Sequence, residues 1–538
     1  MARRPGKPNP KPAGRSGPGP RPAGRPAPVA GSPLLAGEVG TLWRRANAEV
    51  VLCYANSYRV AASSLGFQVI YRDLNQREDL ACHRAVYEPL AGRGSVPGRG
   101  PLPPIRSLEY GKRLDDYDAI LFSLAYELDL ANLALMLEAC GLSPLASERP
   151  ESAPPLIVGG PVTTSNVLPL GVFADVVVMG EADQLVTQLA DILSERPSRA
   201  ELRRWALGVP GLWVPQEHGD AVPAQRSVGA DCLPALGQFR SPNAEFSDMM
   251  LLEASRGCPR YCSFCVVRAP LAPMREPELE RVVAALDRPE FAGSPRVGLV
   301  GAAVSDWGPI KGAMRAIIER GKTFGISSLR ADRLDEDDEF VDLLFQGGYR
   351  TMTVASDAPS QRLRGKLKKG IRERHLWGSA LQARRVGMNG FKMYVIIGLP
   401  GEEAGDIDEL IDFSRRLSTQ VRTAITLSPF VPKLHTPLAA AEFADPDQTQ
   451  ATLRRIQAAL AERVDVRFDA PKWAWVEYRL SQGGLATGLA ALEAARNGGG
   501  STAWRRALAA LDERDPAEQR AALAAAHKHA LWPATGER

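Results

Sequence analysis

The chain is poor in cysteine, in histidine and in long apolar runs. It has seven cysteines in 538 residues. Its first thirty residues lack the apolar stretch of a secretory signal, so a disulfide framework is not expected. No apolar run approaches the roughly 20 residues needed to span a bilayer, which argues against a membrane protein. Charge of one sign is not in excess either: 66 Lys and Arg face 62 Asp and Glu, a net charge of only +4. What remains is an ordinary soluble composition, 45% hydrophobic and 24% charged, with room for roughly three to four domains. Cys53, Cys82, Cys140 and Cys232 are scattered, mostly beside apolar stretches, and read as core thiols. A cytoplasmic, reducing compartment is the expectation.

Much of the mild positive charge lies in the first thirty residues, which carry Arg3, Arg4, Lys7, Lys11, Arg15, Arg21 and Arg25 and no acid. Residues 1–47 are rich in Pro and Gly at their start and read as a disordered tail. A solvated extension is the plain reading, and contact with nucleic acid through the basic residues is the alternative.

From residue 48 the pattern changes. Apolar runs at 49–56, 118–124, 155–160 and 174–180 alternate with helix-like spacing at 60–75, 128–140 and from about 183. This alternation predicts a doubly wound parallel α/β domain over 48–208. Ligands of such sheets sit beyond the carboxyl ends of the strands. A Pro-containing connector is expected at 209–248. A second alternation follows over 249–460, with strands at 249–253, 296–301, 325–329, 351–355, 391–397 and 423–428. Six β/α units match a partial barrel, whose chemistry belongs at the carboxyl-end mouth. Residues 461–538 read as one strand followed by Ala-rich helices, with His527 and His529 solvated in the last of them.

The densest chemical signal follows the first barrel strand. Cys258, Cys262 and Cys265 stand in the run EASRGCPRYCSFC, a C-x₃-C-x₂-C spacing. Three thiolates on one tight loop can ligate three irons of a 4Fe–4S cluster and leave the fourth open. A structural zinc site would want a fourth ligand, and no second C-x₂-C pair or finger-spaced histidine is present.

This spacing, with Phe264 before the last cysteine, resembles the radical-SAM superfamily signature. The order of the two α/β halves resembles members with an N-terminal cobalamin-binding-type domain, in a largely uncharacterised bacterial subgroup. Phrases such as Gly159-Gly160-Pro161, Ser241-Pro242-Asn243 and 428–433 (SPFVPK) carry that likeness. The resemblance implies a 4Fe–4S cluster on the three cysteines, S-adenosylmethionine (SAM) on the open iron, and cleavage of SAM to a 5′-deoxyadenosyl radical or its use as a methyl source. It implies SAM contacts from Phe264, Gly301, Ala302, Ser328, Arg330, Asp357, Ser360, Arg362, Ile397 and Gly398. The chain departs from the pattern at 301–306, which lacks Gly-Gly-Glu, and at Asp357, where Glu is usual. For cobalamin it implies Ser57, Tyr58, Ser123, Leu124, Glu127, Gly159, Gly160, Gly180 and Glu181. The Asp-x-His-x-x-Gly motif that supplies an axial histidine in some members is absent.

Three functions follow as expectations. The first is a cobalamin-assisted radical-SAM enzyme transferring a methyl group to an unactivated carbon. The second is cobalamin-independent radical modification of RNA, a peptide or a small molecule. The third is a non-catalytic iron–sulfur protein with a redox or structural role. An enzyme of this kind needs an electron donor such as flavodoxin or ferredoxin. Lys433 and His435, after the last barrel strand, are candidates for substrate contact at the mouth, as are Tyr394 and Trp307.

Overall fold

A computed structural model describes residues 31–88, 102–268, 271–326 and 329–511. The first sheet contains β1 (Ala48–Tyr54), β2 (Leu80–Val86), β3 (Ala119–Ser123), β4 (Leu156–Gly159), β5 (Val176–Val178) and β6 (Leu212–Trp213), in the order β2-β1-β3-β4-β5-β6. Strands β1 to β5 are parallel and β6 closes the edge antiparallel to β5. The order reverses between β1 and β3, so their carboxyl ends diverge at a topological switch point.

Residues along each strand alternate between faces, as a pleated strand requires. Val51, Cys53, Ile120 and Phe122 enter one core, and Val50, Leu52, Ala119 and Leu121 enter the other. Helices Leu65–Leu74 and Leu185–Ser194 cover the second face. The first face is covered by Asp129–Glu138 together with Leu485–Arg496 and Ser501–Ala509 from the far end of the chain. The C-terminal helices therefore complete the N-terminal domain's core, a layer that local periodicity assigns to no partner. The helix expected over 60–75 is two, Tyr58–Ala61 and Leu65–Leu74, because Ser64 Oγ accepts the Phe67 N–H at 3.5 Å and caps the second.

Strand β2 is the main addition to the sequence reading. Its run LACHRAV places His83 and Arg84 where a buried strand should be apolar, which hides it from a pattern search. The structure resolves the conflict by pairing. Arg84 is fully buried between the carboxylates of Glu38 and Glu109, with the rings of Tyr71 and Phe239 at 4.5 and 4.3 Å. A buried charge is tolerated only when satisfied in this way. The same network corrects the disordered reading of 31–47. Glu38 is drawn in by Arg84, the Ser32 N–H donates to the Leu108 carbonyl at 2.8 Å, and Val39 bridges Arg240. Residues 1–30 and 512–538, including His527 and His529, lie outside the described residues.

The connector is also structured. It supplies β6, and Gln68 Oε1 accepts the Gln238 and Phe239 N–H groups at 2.9 and 3.1 Å. The second half forms a curved parallel sheet. Strands β7 (Met249–Glu253), β8 (Arg296–Val300) and β9 (Thr323–Ile326) make one ladder. Strands β10 (Thr351–Ala355), β11 (Gly390–Ile397), β12 (Thr423–Pro429) and β13 (Val464–Phe468) make another. A parallel bridge from Leu329 to Val354 joins them. The strand expected in the C-terminal region, β13, thus adds a seventh parallel strand to the partial barrel. Amphipathic helices, among them Leu279–Leu286, Ile310–Glu319, Glu373–Arg385 and Ala404–Ser418, bury their apolar stripes against it. Among the described residues no helix is long and apolar enough to cross a membrane.

Candidate cofactor site between the two sheets

The cysteine loop leaves β7 at the barrel mouth. Its base is closed by a reciprocal backbone pair, the Arg256 N–H to the Arg275 carbonyl at 2.9 Å and the Arg275 N–H to the Arg256 carbonyl at 2.8 Å. The Ser263 N–H donates to the Leu367 carbonyl at 3.0 Å, and Phe264 packs on the small apolar cluster of Ala358, Leu363, Leu367, Leu399 and Phe430. Cys262 is buried, while Cys258 and Cys265 are half-buried. Burial raises the Cys262 and Cys265 thiols, and Cys258 is an electrostatic neighbour of both. A metal bound there must displace thiol protons. Among the described residues no three His, Cys, Asp or Glu side chains converge on one ion. A cubane asks for something else, because each thiolate takes a separate iron. Three neighbouring thiols on one braced loop fit that donor set. Beside them Ser255 Oγ is buried with no hydrogen-bond partner.

The residues expected around SAM divide. Gly301 and exposed Ala302 follow β8, and Gly301 backs directly onto Ser255. Arg330 pairs with Asp332 at 2.8 Å and lies 3.9 Å from Asp306. Asp357 adopts φ +57° and pairs with Lys369; both are electrostatic neighbours of Cys262. Others serve the fold. Ser360 is fully buried, caps the helix Gln361–Lys366 and donates to Asp406 at 2.5 Å. Arg362 pairs with that same carboxylate and with the Gly401 carbonyl. Ile397 is buried in the barrel core, and the Gly398 N–H donates to Glu402 at 2.9 Å. Ser328 lies outside the described residues. Trp307, expected at the mouth, is instead fully buried with its Nε1–H on the Pro277 carbonyl at 3.3 Å. Tyr394 is 37% exposed, its hydroxyl accepting from Lys392 at 3.0 Å.

A cavity of about 630 Å³ opens between the carboxyl edge of the first sheet and this loop. Ser123, Glu127, Gly159, Gly160, Gly180 and Glu181 line it. The remaining three expected residues do not. Tyr58 is buried with its hydroxyl on Glu38, Leu124 is buried with its N–H on the Gly159 carbonyl at 2.8 Å, and the Ser57 N–H turns to Asn56 Oδ1 at 2.8 Å. An apolar slot extends inward over Leu52, Leu121, Ile157 and Val178, roofed by Val69 and Val186. On the barrel side the cavity reaches Glu253, Arg256, Val266, Val267 and Lys433. Gly160 and Gly180 keep its floor thin. Both have positive φ, +106° and +83°, and a Cβ would lie 2.5 Å from the Leu124 carbonyl oxygen and 2.4 Å from that of Arg226.

Two charged clusters fasten the halves together around this cavity. Arg256 meets Asp183 at 2.7 Å, Glu253 at 2.7 Å and Glu181 at 3.4 Å, and Arg275 meets Glu181 at 2.6 Å. Glu181 thus holds the two arginines that close the base of the cysteine loop. On the opposite wall Lys433 pairs with Glu127 and, at 2.7 Å, with Glu477, whose carboxylate also accepts the Tyr126 hydroxyl at 2.8 Å. His435 is half-buried, and desolvation lowers its pKa against a raising backbone hydrogen bond to Ser165. The sequence reading passed over Arg256 and Arg275. The available signal was an arginine immediately before Gly257-Cys258, a charge in a loop otherwise committed to metal binding.

Two family models match the chain. A family model described as "Radical SAM proteins, N-terminal" matches residues 66–215, and one described as "Radical SAM superfamily" matches 252–414. An uncharacterized protein of Methanocaldococcus jannaschii is 28% identical over 398 residues, covering 73% of this chain and 80% of its own. Among solved structures, the cobalamin-dependent S-adenosylmethionine radical enzyme OxsB, with aqua-cobalamin and S-adenosylmethionine bound, aligns at 14% identity and a TM-score of 0.48, covering 77% of this chain and 56% of that one. Coproporphyrinogen III oxidase from Escherichia coli aligns at 15% identity and a TM-score of 0.31, covering 40% of this chain and 52% of that one. The match thus spans little more than half of either solved chain. With the cysteine loop at the mouth of a parallel barrel and both family domains in order, the chain is a member of the radical SAM superfamily, the class built around a 4Fe–4S cluster and SAM.

Proposed function

We propose that this protein is a cobalamin-assisted radical SAM enzyme that transfers a methyl group to an unactivated carbon. The observation that carries this reading is the shared cavity, bounded on one side by the carboxyl edge of the first sheet and on the other by the residues that follow Cys265. Its size falls in the usual range for a cofactor site. Its shape favours a broad ligand with an apolar extension, because the floor is glycine backbone and the slot between sheet and helices is lined by Leu and Val. When bound, the cluster with SAM would supply a substrate radical and the corrin a transferable methyl group.

The chain's own contribution is placement and exclusion of water. Cys258, Cys262 and Cys265 would hold the cluster. Ser123, Gly159 and Gly160 would meet the corrin face, and Leu121, Ile157 and Val178 its apolar tail. Glu181 and Asp183 would fix the distance between the two sites through Arg256 and Arg275. The loop at 56–61 carries no histidine and turns Tyr58 onto Glu38, so a corrin would be held without an imidazole from this loop. A reducing compartment such as the cytoplasm suits an oxygen-sensitive cluster. The test is anaerobic reconstitution with iron and sulfide, addition of hydroxocobalamin, desalting and an absorbance spectrum. Stoichiometric corrin beside an iron–sulfur band supports the reading. A full iron–sulfur band with no corrin overturns it and turns attention to corrin-free modification of RNA or peptide.

A further inference from the structure

We propose that the inner face of strands β10 to β12 carries an oxyanion-binding site, built on Lys392 and Tyr394, that anchors a phosphate or carboxylate group of a small-molecule substrate. The proposal rests on the reading of the barrel as the place where a substrate reacts. The interior of a barrel of parallel strands is ordinarily a packed core of bulky branched side chains. Here one half departs from that. Val354, Met393, Val395, Ile425 and Leu427 pack outward against the helices. Strand alternation then turns Thr353, Lys392, Tyr394, Thr426 and Ser428 inward, and none of these five is buried. The ladder sets them side by side, with Lys392 opposite Thr353 and Ala424, and Tyr394 opposite Ala355 and Thr426. The other half of the barrel is closed. Met249 and Leu251 of β7 pack with Leu65 and Ala235. The Met249 side chain fills the space beside Gly298 and Gly325, where a Cβ would lie 2.7 Å from its sulfur and 2.9 Å from its methyl group.

Lys392 is the chemical anchor. A charge drawn partly out of water needs a partner, and among the described residues no carboxylate pairs with this one. Its ammonium donates to the Tyr394 hydroxyl at 3.0 Å and lies 4.6 Å from that ring's centroid. The nearby acids are engaged elsewhere: Asp465 pairs with Arg467 at 2.8 Å, and Asp469, just beyond β13, accepts the Ser428 hydroxyl at 2.6 Å. An ammonium has three N–H donors, and a phenol that accepts one bond still has its own O–H to give. Two N–H groups and one O–H therefore remain for a ligand, flanked by the hydroxyls of Thr353 and Thr426 on the neighbouring strands. A set rich in donors and carrying one positive charge suits an oxyanion. Position ties the site to the cysteine loop. The Tyr394 carbonyl accepts the Ser356 and Asp357 N–H groups at 3.0 and 3.2 Å, and Asp357 is an electrostatic neighbour of Cys262. Lys392 lies two residues toward the amino end, about 7 Å deeper along the strand. An oxyanion held there leaves the rest of a small substrate directed up toward the mouth, where the cysteine loop stands.

The test uses the full-length, anaerobically reconstituted protein, with methylphosphonate and acetate as probes of the two anions. Each is titrated at fixed ionic strength and followed by the NMR signal of its methyl group. At least one probe should bind saturably, and the one that binds names the anion. Lys392→Met should weaken that binding about tenfold or more, the scale of a lost charge-assisted hydrogen bond. Lys392→Arg should retain it, and Tyr394→Phe should fall between. Absence of saturable binding by either probe overturns the proposal. So does equal binding to Lys392→Met protein whose circular dichroism and iron–sulfur absorbance match the wild type. Tyr394→Phe, which removes a single oxygen, carries the same test if Lys392→Met fails to fold. Corrin retention is read on the same preparation: Lys392-dependent binding without corrin supports this site and refutes the methyl-transfer reading.

Discussion

The carboxyl edges of the two sheets invite comparison, because cofactor contacts were expected at both. At the first sheet, six of the nine expected residues line one cavity. At the barrel mouth, the cysteine loop stands where it should, yet Ser360, Arg362, Ile397 and Gly398 are engaged in capping, ion pairing, core packing and a turn. The difference lies in what each choice rested on. At the first edge most residues were selected by backbone position at strand ends, and a parallel strand end points outward by construction. At the mouth the expected contacts included polar and charged side chains, which the fold can claim for itself. Arg362 shows the weakness of that: Asp406 lies 44 positions away in sequence, yet it claims the guanidinium.

The largest break in the comparison should come from the cysteines. Cys262→Ala should abolish the iron–sulfur absorbance after anaerobic reconstitution while the first domain keeps its fold by circular dichroism. A fully loaded cluster in that variant would defeat the assignment. Next in size is Glu181→Gln, which leaves Arg275, 9% exposed, without its carboxylate. Breaking a buried pair costs about 3–5 kcal/mol. The urea midpoint should fall accordingly, and cluster loading should fall with it, because the base of the cysteine loop is loosened. Gly160→Ala should follow, at about 1–3 kcal/mol for a side chain forced into a positive-φ site against backbone. In that variant corrin retention should drop while cluster absorbance survives, which separates the two edges.

The finest test is pH dependence, and each edge has one reporter. Burial pushes Asp129, near the first edge, up to about 7, with the Asn56 amide opposing it. Burial likewise pushes Glu402, at the barrel turn, up to about 7 against the Gly398 and Leu399 amides. A carboxyl whose folded pKa is raised binds its proton more tightly when folded. Its stabilisation is fully present below the unfolded value near 4 and is lost as pH rises through 7. Asp129→Asn and Glu402→Gln should each flatten the decline in stability between about pH 4 and 7. A decline unchanged in either variant would show that the corresponding carboxyl is not held protonated.

Much of the architecture was legible in order. Strands Met249–Glu253 and Thr351–Ala355 lie where the pattern predicts, because Met250, Leu252, Met352 and Val354 alternate into one core. Strand β2 was not legible, since its charged pair becomes tolerable only when Glu38, Glu109 and Tyr117 arrive from elsewhere. The destination of the C-terminal helices was also hidden. An Ala-rich helix declares an apolar face but not which distant surface that face will meet.

The sequence alone determined the cysteine spacing, the two parallel α/β halves and the placement of the cysteine loop after the first barrel strand. These are local properties, encoded in residue spacing over a few turns or a single loop. Only the tertiary structure decided that Glu181 and Asp183 clamp the arginines at the loop's base, that Lys433 ties Glu127 to Glu477, and that one cavity lies between the halves. Ion pairs and cavities belong to surfaces brought together from distant parts of the chain, and no local pattern records which surfaces those will be.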